Sequence, residues 1–160
     1  MRGKLPATGS YVTRLTANII GATIHYTAGP SNLNATSIAN FQLGRVADPK
    51  TGAKFPAIAY TYIIEQDGTV VQCHDLNIRC WHSGAVVNGV SRNDNYIGVC
   101  WSGDDVPNTA QLLGIKTALR HIEQQLGRPL QKIEGHREAP YATQCPGNRW
   151  KEWIDLVRVY

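Results

Sequence analysis

Long apolar runs, internal repeats and low-complexity segments are all missing from this 160-residue sequence. The most apolar stretch near the N-terminus, Ile19 to Ile24, is broken by Gly21 and Thr23, whereas a membrane-spanning helix needs about 20 apolar residues. The basic start MRGK is not followed by the apolar core of a secretory signal. The sequence therefore predicts cytoplasmic synthesis, without a signal peptide or membrane insertion, and another protein would have to help the chain reach an extracellular target.

Charge of either sign is also modest, with 16 Lys and Arg against 12 Asp and Glu, a net charge of +4 and 18% charged residues in all. With a hydrophobic content of 42%, this excludes a disordered acidic tail, a collagen-like repeat and a small disulfide scaffold. The length predicts one domain over residues 1–160, long enough to bury a core. A pI of about 9.0 suits polyanionic surroundings. Because the basic residues are scattered and no predicted helix carries a basic stripe, a nucleic-acid partner is not expected.

Cysteines are few, at positions 73, 80, 100 and 145. Without a secretory signal they favour thiols or metal ligands over a disulfide framework. Cys100 lies in an apolar run and is interpreted as a small buried hydrophobe. Cys73 and Cys80 lie near His74 and His82, but their spacing fits no common zinc pattern, so packing is the favoured interpretation. A Cys73–Cys80 bridge stays open if the protein works outside cells.

The apolar patterns predict an α/β domain in which strands dominate the middle of the chain and helices its end. Strands are predicted over residues 17–27, 58–65, 69–73, 97–101 and 133–136, helices over 37–43, 109–126 and 148–157, and a polar loop over 48–54. Thr36 is the predicted N-cap of the first helix. The clearest helix, 109–126, carries apolar residues at intervals of three and four, begins with the capping-box pair Asn108 and Gln111, and ends at Gly127.

Side chains that can bind a metal stand at three turn-rich places. His25 lies near the end of the first predicted strand, His136 is the final residue of the last one, and Cys145 lies nine positions further on. Two imidazoles and one thiolate with an open fourth position form a known type of catalytic zinc site, in which the metal lowers the pKa of its water to about 7 and polarises a carbonyl. Each residue alone also has an ordinary structural explanation, so the spacing suggests this site without establishing it.

Five strings occur along the chain in the order IHYTAG, IAYTYIIEQDGTV, WHSG, NYIGV and GHREAPYATQCPG. In this order they resemble the zinc-dependent N-acetylmuramoyl-L-alanine amidases, which share a fold with the peptidoglycan recognition proteins. The resemblance runs from Ile20 to Trp150 and is most specific in the GHR…T-x-CPG segment. It implies a single α/β domain with a central mixed, mostly β-sheet flanked by α-helices. The short chain without a predicted signal peptide points to the phage endolysin branch.

The resemblance also implies roles for individual residues. His25, His136 and Cys145 match the three ligands of one catalytic Zn²⁺. Cys145 favours an active enzyme, because relatives that only bind peptidoglycan typically lack a metal ligand there. Tyr60 matches the family's catalytic tyrosine, whose hydroxyl can hydrogen-bond the attacking water or the developing oxyanion. Thr143 stands where relatives carry a Lys or a Thr that assists catalysis.

Two further positions, His82 and Asn95, match residues that line or support the cleft and are predicted to bind substrate. The chain also departs from the family pattern. Tyr26 replaces a common His that is not a ligand, and Thr61 replaces a frequent His beside the catalytic tyrosine. Cys100 stands where some amidases place a catalytic Glu, so no carboxylate base is inherited.

Two carboxylates, Glu134 and Glu138, flank His136 in the sequence. They could accept a hydrogen bond from its imidazole. Exposed, salt-bridging side chains are the favoured interpretation, because isolated surface carboxylates usually serve in this way.

The implied activity is hydrolysis of the amide bond between N-acetylmuramic acid and L-alanine of peptidoglycan. A monomer is expected that is made in the host cytoplasm and acts on the wall once the membrane is permeabilised. Without a separate wall-binding domain, its positive charge would attract it to anionic wall polymers. The alternative is a peptidoglycan recognition module without turnover, which needs the fold and the cleft but not the complete zinc triad. Phage amidases of this kind sometimes also bind a polymerase, and the sequence does not decide that function.

Overall fold

The computed structural model describes residues 4–159. Its strands, in chain order, are β1 (Gly21–Tyr26), β2 (Val46–Asp48), β3 (Ala53–Lys54), β4 (Tyr62–Ile64), β5 (Val70–Gln72), β6 (Val86–Val87), β7 (Val90–Ser91), β8 (Tyr96–Trp101) and β9 (Lys132–Gly135). Its α-helices are α1 (Ala35–Gln42), α2 (Arg92–Asn95), α3 (Thr109–Leu126) and α4 (Ile154–Arg158), and 3₁₀ turns lie at Thr16–Asn18, His136–Glu138 and Trp150–Glu152.

Five of these strands form the main sheet, in the order β5-β4-β8-β1-β9. β8 pairs in parallel with β1 and β4, and β9 pairs in parallel with the other side of β1, whereas β5 is antiparallel to β4. The two central strands are buried apart from the half-buried Tyr26. Inner parallel strands are covered on both faces, which explains why they appear as nearly continuous apolar runs in the sequence. The predicted α/β domain with a central mixed sheet is confirmed.

Helices cover both faces of this sheet. Ile24 of β1 lies in one core cluster with Ile115 of α3 and with apolar residues of α4. Ile38 of α1 packs in a second cluster that includes Cys100 of β8. His25 follows Ile24 and is paired in register with Cys100. Because successive strand residues point to opposite faces, His25 lies on the α1 face, and the candidate site forms there.

The longest helix has the predicted bounds because both of its ends are capped. The Asn108 side chain accepts a hydrogen bond from the Gln111 backbone N–H (2.9 Å), and the Gln111 side chain accepts one from the Asn108 N–H (3.1 Å). Gly127 closes the helix in the left-handed conformation, at φ 67°. Local capping signals therefore suffice for this element.

The start of α1 was predicted wrongly. Asn34, and not Thr36, is the N-cap, because its side chain accepts a hydrogen bond from the Ser37 N–H at 2.9 Å. Glu65 accepts a second one from the Ala35 N–H at 2.9 Å. A carboxylate distant in sequence thus helps to begin the helix two residues earlier than expected.

Three other segments also differ from the prediction. The polar loop over 48–54 contains most of a short β2–β3 hairpin, and the helix over 148–157 is a 3₁₀ turn followed by α4. The β6–β7 hairpin and α2 were not predicted, since elements of two to four residues are too short to show a hydrophobic period. Within residues 4–159, no helix combines the length and the apolar character needed to cross a membrane.

All four cysteines are free thiols, so the described chain contains no Cys73–Cys80 bridge. Cys100 is fully buried, as its apolar context predicted. The loose group around Cys73 and Cys80 does not gather as a metal site, because His74 bonds the Ile58 carbonyl instead (2.8 Å).

Candidate metal centre

The two histidines meet because neighbouring parallel strands end side by side. His25 is the fifth residue of β1 and is 1% exposed. His136 directly follows β9, whose Gly135 is paired in register with Ile24 of β1. The two imidazole rings therefore lie 4.5 Å apart between centroids, at an angle of 62°.

Cys145 joins them from the loop after β9. The Arg137 N–H donates to the Cys145 carbonyl at 2.9 Å, and the Cys145 N–H donates to the Thr143 hydroxyl at 3.1 Å. These two bonds fold the loop back so that the Cys145 sulfur lies 3.5 Å from His25 Nδ1. Thr143 therefore lies beside the Cys145 backbone, and its oxygen helps to hold the loop.

The ligand atoms of His25, His136 and Cys145 all lie within 4.8 Å of one another, and no other such group of three occurs within residues 4–159. Two nitrogens and one sulfur are the donor set of a known type of catalytic zinc site. They leave one open position on a tetrahedral ion. The three predicted ligands are thus brought together, and their chemistry fits zinc.

Burial prepares the two imidazoles to bind a metal. It lowers the pKa of His136 to about 4. Burial, with the neighbouring His136 and His82, holds the pKa of His25 well below its ordinary value. Both rings are therefore neutral at pH 7, the form that coordinates a metal. Burial also raises the pKa of the Cys145 thiol to about 12, opposed by a backbone hydrogen bond and by Arg137, so the thiolate forms only when a cation stabilises it.

Tyr60 lies beside the two-histidine pair. Its ring centroid is 5.2 Å from that of His25, at 47°. The segment that carries it is held to α1 by a hydrogen bond from the Ala59 N–H to the Gln42 side chain (2.8 Å). Burial, and then the nearby Cys100 and Cys145, raise the pKa of the Tyr60 hydroxyl well above its ordinary value. The hydroxyl therefore stays protonated, and it lies within hydrogen-bond reach of the Cys100 thiol and the Gln42 side chain.

The two predicted substrate-binding residues lie in different places. His82 is 6% exposed and lies behind His25, with its Nδ1 at 3.0 Å from His25 Nε2. Asn95 lies before β8, five positions from Cys100, which is about 16 Å along a strand. The structure does not bring Asn95 to the ligands, because α2 turns only its neighbour Asn93 towards the site, where Asn93 accepts a hydrogen bond from the Ser83 N–H (2.9 Å).

Two residues near the centre were missed by the sequence analysis. The Ser83 hydroxyl lies 3.1 Å from His136 Nε2. The Tyr141 ring stacks on the His136 ring, with 5.3 Å between centroids and 5° between planes, and Tyr141 is 48% exposed. Both belong to the strings WHSG and GHREAPYATQCPG, so their proximity to predicted ligands was the available signal.

The carboxylates that flank His136 are engaged elsewhere. Glu134 is fully buried and pairs with Arg92 and Lys132, each at 3.0 Å, so the expectation that it is exposed was wrong, although it does form salt bridges. Glu138 accepts a hydrogen bond from the Gly135 N–H at 2.7 Å and pairs with Arg158. Neither carboxylate accepts a hydrogen bond from the His136 imidazole within the described chain.

A cleft of about 720 Å³ opens beside the centre. One wall carries Trp81, Ser83, Gly84 and Tyr141, and the opposite wall is the β2–β3 hairpin. Its volume lies in the range of ligand pockets in proteins. Ser83 both lines the cleft and contacts His136, so the cleft adjoins the candidate centre, although none of the three candidate ligands lines it.

Comparison with known proteins agrees with the overall fold. The solved structures with a similar fold include the endolysin N-acetylmuramoyl-L-alanine amidase LysCS from Clostridium intestinale URNW, with a TM-score of 0.73 and 16% identity over 100% of this chain and 95% of that one. They also include the Drosophila peptidoglycan recognition protein SD (0.75, 25%, over 94% and 86%). A third is the Ph2119 endolysin from the Thermus scotoductus MAT2119 bacteriophage (0.62, 19%, over 97% and 90%).

A comparison with curated protein sequences gives no significant match. The family model described as N-acetylmuramoyl-L-alanine amidase, in contrast, matches residues 15–148, which include all three metal-binding candidates. A match over most of the chain settles the family. The chain belongs to the Amidase_2 family of N-acetylmuramoyl-L-alanine amidases.

Proposed function

We propose that the protein is a zinc-dependent hydrolase of the phage endolysin type, which cleaves the amide bond between N-acetylmuramic acid and L-alanine in peptidoglycan. The observation that carries this proposal is the convergence of His25, His136 and Cys145 within 4.8 Å in a chain of the amidase family. The fold shared with the Clostridium and Thermus-phage endolysins supports the endolysin type.

The three ligands would hold one zinc ion, which when bound supplies the Lewis acidity that activates water for attack on an amide carbonyl. The protein contributes neutral imidazoles from His25 and His136, because both are buried. Cys145 contributes a sulfur from the loop after β9.

Tyr60 is the proposed stabiliser of the tetrahedral oxyanion. Its protonated hydroxyl can donate a hydrogen bond to the oxygen on which negative charge develops. The attacking water loses a proton and the leaving L-alanine nitrogen gains one, and we assign the relay to the Tyr60 or the Thr143 hydroxyl, which would give its own proton to the nitrogen and take up the proton of the water. The Thr143 oxygen already accepts the Cys145 N–H, which leaves its own proton available to a hydrogen-bond acceptor.

The muramoyl-peptide substrate is proposed to lie in the cleft beside Ser83. Trp81 and Tyr141 offer aromatic faces there, and Lys50 adds a positive charge on the opposite wall. These residues, and not the distant Asn95, are the proposed substrate contacts.

Product analysis on purified peptidoglycan, with and without a zinc chelator, tests the proposed function. We expect new L-alanine amino termini and unmodified glycan strands. The activity should disappear on chelation and return with zinc. A Cys145→Ser protein serves as the matched control.

The rival function is recognition without turnover, which the fold shared with a peptidoglycan recognition protein favours. Binding to the wall without new amino termini, in either metal condition, would establish that rival and contradict the roles of Tyr60 and Thr143.

A further inference from the structure

One short segment, Trp81 to Gly84, supplies a partner to each of the two ligand imidazoles. His82 Nδ1 lies 3.0 Å from His25 Nε2, and the Ser83 hydroxyl lies 3.1 Å from His136 Nε2. At His25 this contact occupies the nitrogen turned away from the metal position, because Nδ1 is the atom that lies 3.5 Å from the Cys145 sulfur. Histidines that bind metals commonly donate this second N–H to a fixed acceptor, which sets the ring orientation.

The direction of the hydrogen bond at His25 follows from a backbone carbonyl. His82 Nε2 lies 3.1 Å from the Tyr96 carbonyl oxygen, which can only accept, so His82 Nε2 must carry a proton. A neutral imidazole has one N–H, so His82 Nδ1 is an acceptor. His25 Nε2 must then donate to it. His25 Nδ1 is left with its lone pair directed to the metal position, 3.5 Å from the Cys145 sulfur.

The contact at His136 is less restrictive. The Ser83 hydroxyl can donate or accept, and its oxygen already accepts the Ala85 N–H at 3.2 Å. Ser83 therefore orients the His136 ring without imposing a tautomer. Of the two partners, only His82 fixes which ring nitrogen of its ligand histidine donates the hydrogen bond.

The fold makes room for His82 and holds its acceptor in place. A Cβ atom at Gly98 would lie 2.7 Å from His82 Cγ, so β8 accommodates the imidazole only because this strand residue is glycine. Arg14 donates to the Tyr96 carbonyl and to the Asn93 carbonyl, both at 2.7 Å. The carbonyl that orients His82 thus accepts a hydrogen bond from a partly buried guanidinium.

We propose that His82 is a positioning residue that fixes the orientation and the tautomer of His25, so that His25 Nδ1 faces the metal. The inference rests on the proposed zinc site. It gives His82 a role behind the ligand, in place of contact with substrate.

A matched pair of variants tests it. In His82→Asn the amide oxygen can replace Nδ1 and accept from His25, but the bond to the Tyr96 carbonyl is lost. In His82→Gln the longer amide reaches that carbonyl, but the acceptor for His25 is lost. Each variant removes one of two hydrogen bonds, so a merely structural role would affect both alike.

Zinc affinity, measured by competition with a chromophoric chelator, should separate the pair. We expect His82→Gln to bind zinc about 10- to 100-fold more weakly than the wild type, and His82→Asn to stay closer to it. Thermal unfolding of the metal-free proteins should show that both variants fold. Equal zinc affinities in the two variants would overturn the proposal.

Imidazole ¹⁵N spectra of the metal-free protein give a second readout, independent of zinc. We expect a protonated Nε2 and a bare Nδ1 on His25 in the wild type and in His82→Asn, and a shift to Nδ1–H in His82→Gln. Nδ1–H on His25 in the wild type would contradict the proposal by itself. A wild-type protein with the expected tautomer that binds no zinc would contradict the proposed function instead.

Discussion

The metal centre has two halves that are built differently. His25 lies inside the sheet, on a strand with parallel neighbours on both sides, and its ring is held from behind by His82. Cys145 lies on a loop that is positioned by single hydrogen bonds to Thr143 and Arg137. The buried half is therefore fixed by the core of the protein. We expect changes in the loop half to leave the core intact.

Removal of the loop ligand should have the largest effect. In Cys145→Ser a hydroxyl replaces the thiolate, which is the ligand that zinc prefers at such a site. We expect amidase activity to fall to background and zinc affinity to fall by more than the ~100-fold typical of losing a supporting residue. The metal-free variant should unfold at nearly the wild-type temperature. A zinc-loaded, fully active Cys145→Ser protein would refute the ligand assignment.

Tyr60→Phe should have the next largest effect, and on turnover alone. The ring keeps its packing beside His25, but the donor to the oxyanion is lost. We expect kcat to fall about 10²- to 10³-fold with zinc affinity unchanged. Steady-state kinetics on peptidoglycan, together with metal analysis, measure the two quantities separately. Full turnover in the variant would remove Tyr60 from the mechanism.

Acidification should destabilise the metal-free protein through its buried histidines and not through Cys145. Burial lowers the pKa of His136 from 6.5 to about 4 and that of His82 from 6.5 to about 3, so the unfolded chain binds more protons than the native state in this range. The contribution of these two histidines to the free energy of unfolding should therefore be complete above pH 6.5. It should be lost as the pH falls through about 4 for His136 and about 3 for His82. Urea unfolding with a chelator at several pH values measures it.

Two variants sharpen this pH experiment. His82→Asn removes one titrating group and should flatten the pH dependence. Cys145→Ala should leave it unchanged, because burial raises the pKa of that thiol to about 12. Stability that does not change between pH 7 and pH 5 in the wild type would show that the imidazoles are not held neutral by the fold.

The sequence predicted the parts of the centre that depend on residue identity and order. The strings around His25, His136 and Cys145 predicted the three candidate ligands that the structure brings together, and the caps at Asn108 and Gly127 predicted the bounds of the longest helix. These signals are local, or depend on a resemblance that covers most of the chain.

The sequence could not predict contacts that depend on three separate segments. The hydrogen bonds from His25 to His82 to the Tyr96 carbonyl join residues that are 57 and 14 positions apart. Nor could it decide between Asn93 and Asn95, which are half a helical turn apart and face different surroundings. The β2–β3 hairpin lacked a signal because its strands are only two and three residues long.

The smallest predicted effect is that of replacing Thr143. It tests whether the loop contributes only the Cys145 ligand or also a hydroxyl that takes part in catalysis. Thr143→Val keeps the shape of the side chain but removes the oxygen that accepts the Cys145 N–H. Loss of one such bond costs about 0.5–1.5 kcal/mol, so zinc affinity should fall about 2- to 12-fold, and Thr143→Ser should restore it. If kcat in the fully zinc-loaded variant falls further than this, the hydroxyl also takes part in proton delivery. If kcat is unchanged once zinc is saturating, Thr143 only positions Cys145, and Tyr60 becomes the sole candidate for the proton donor.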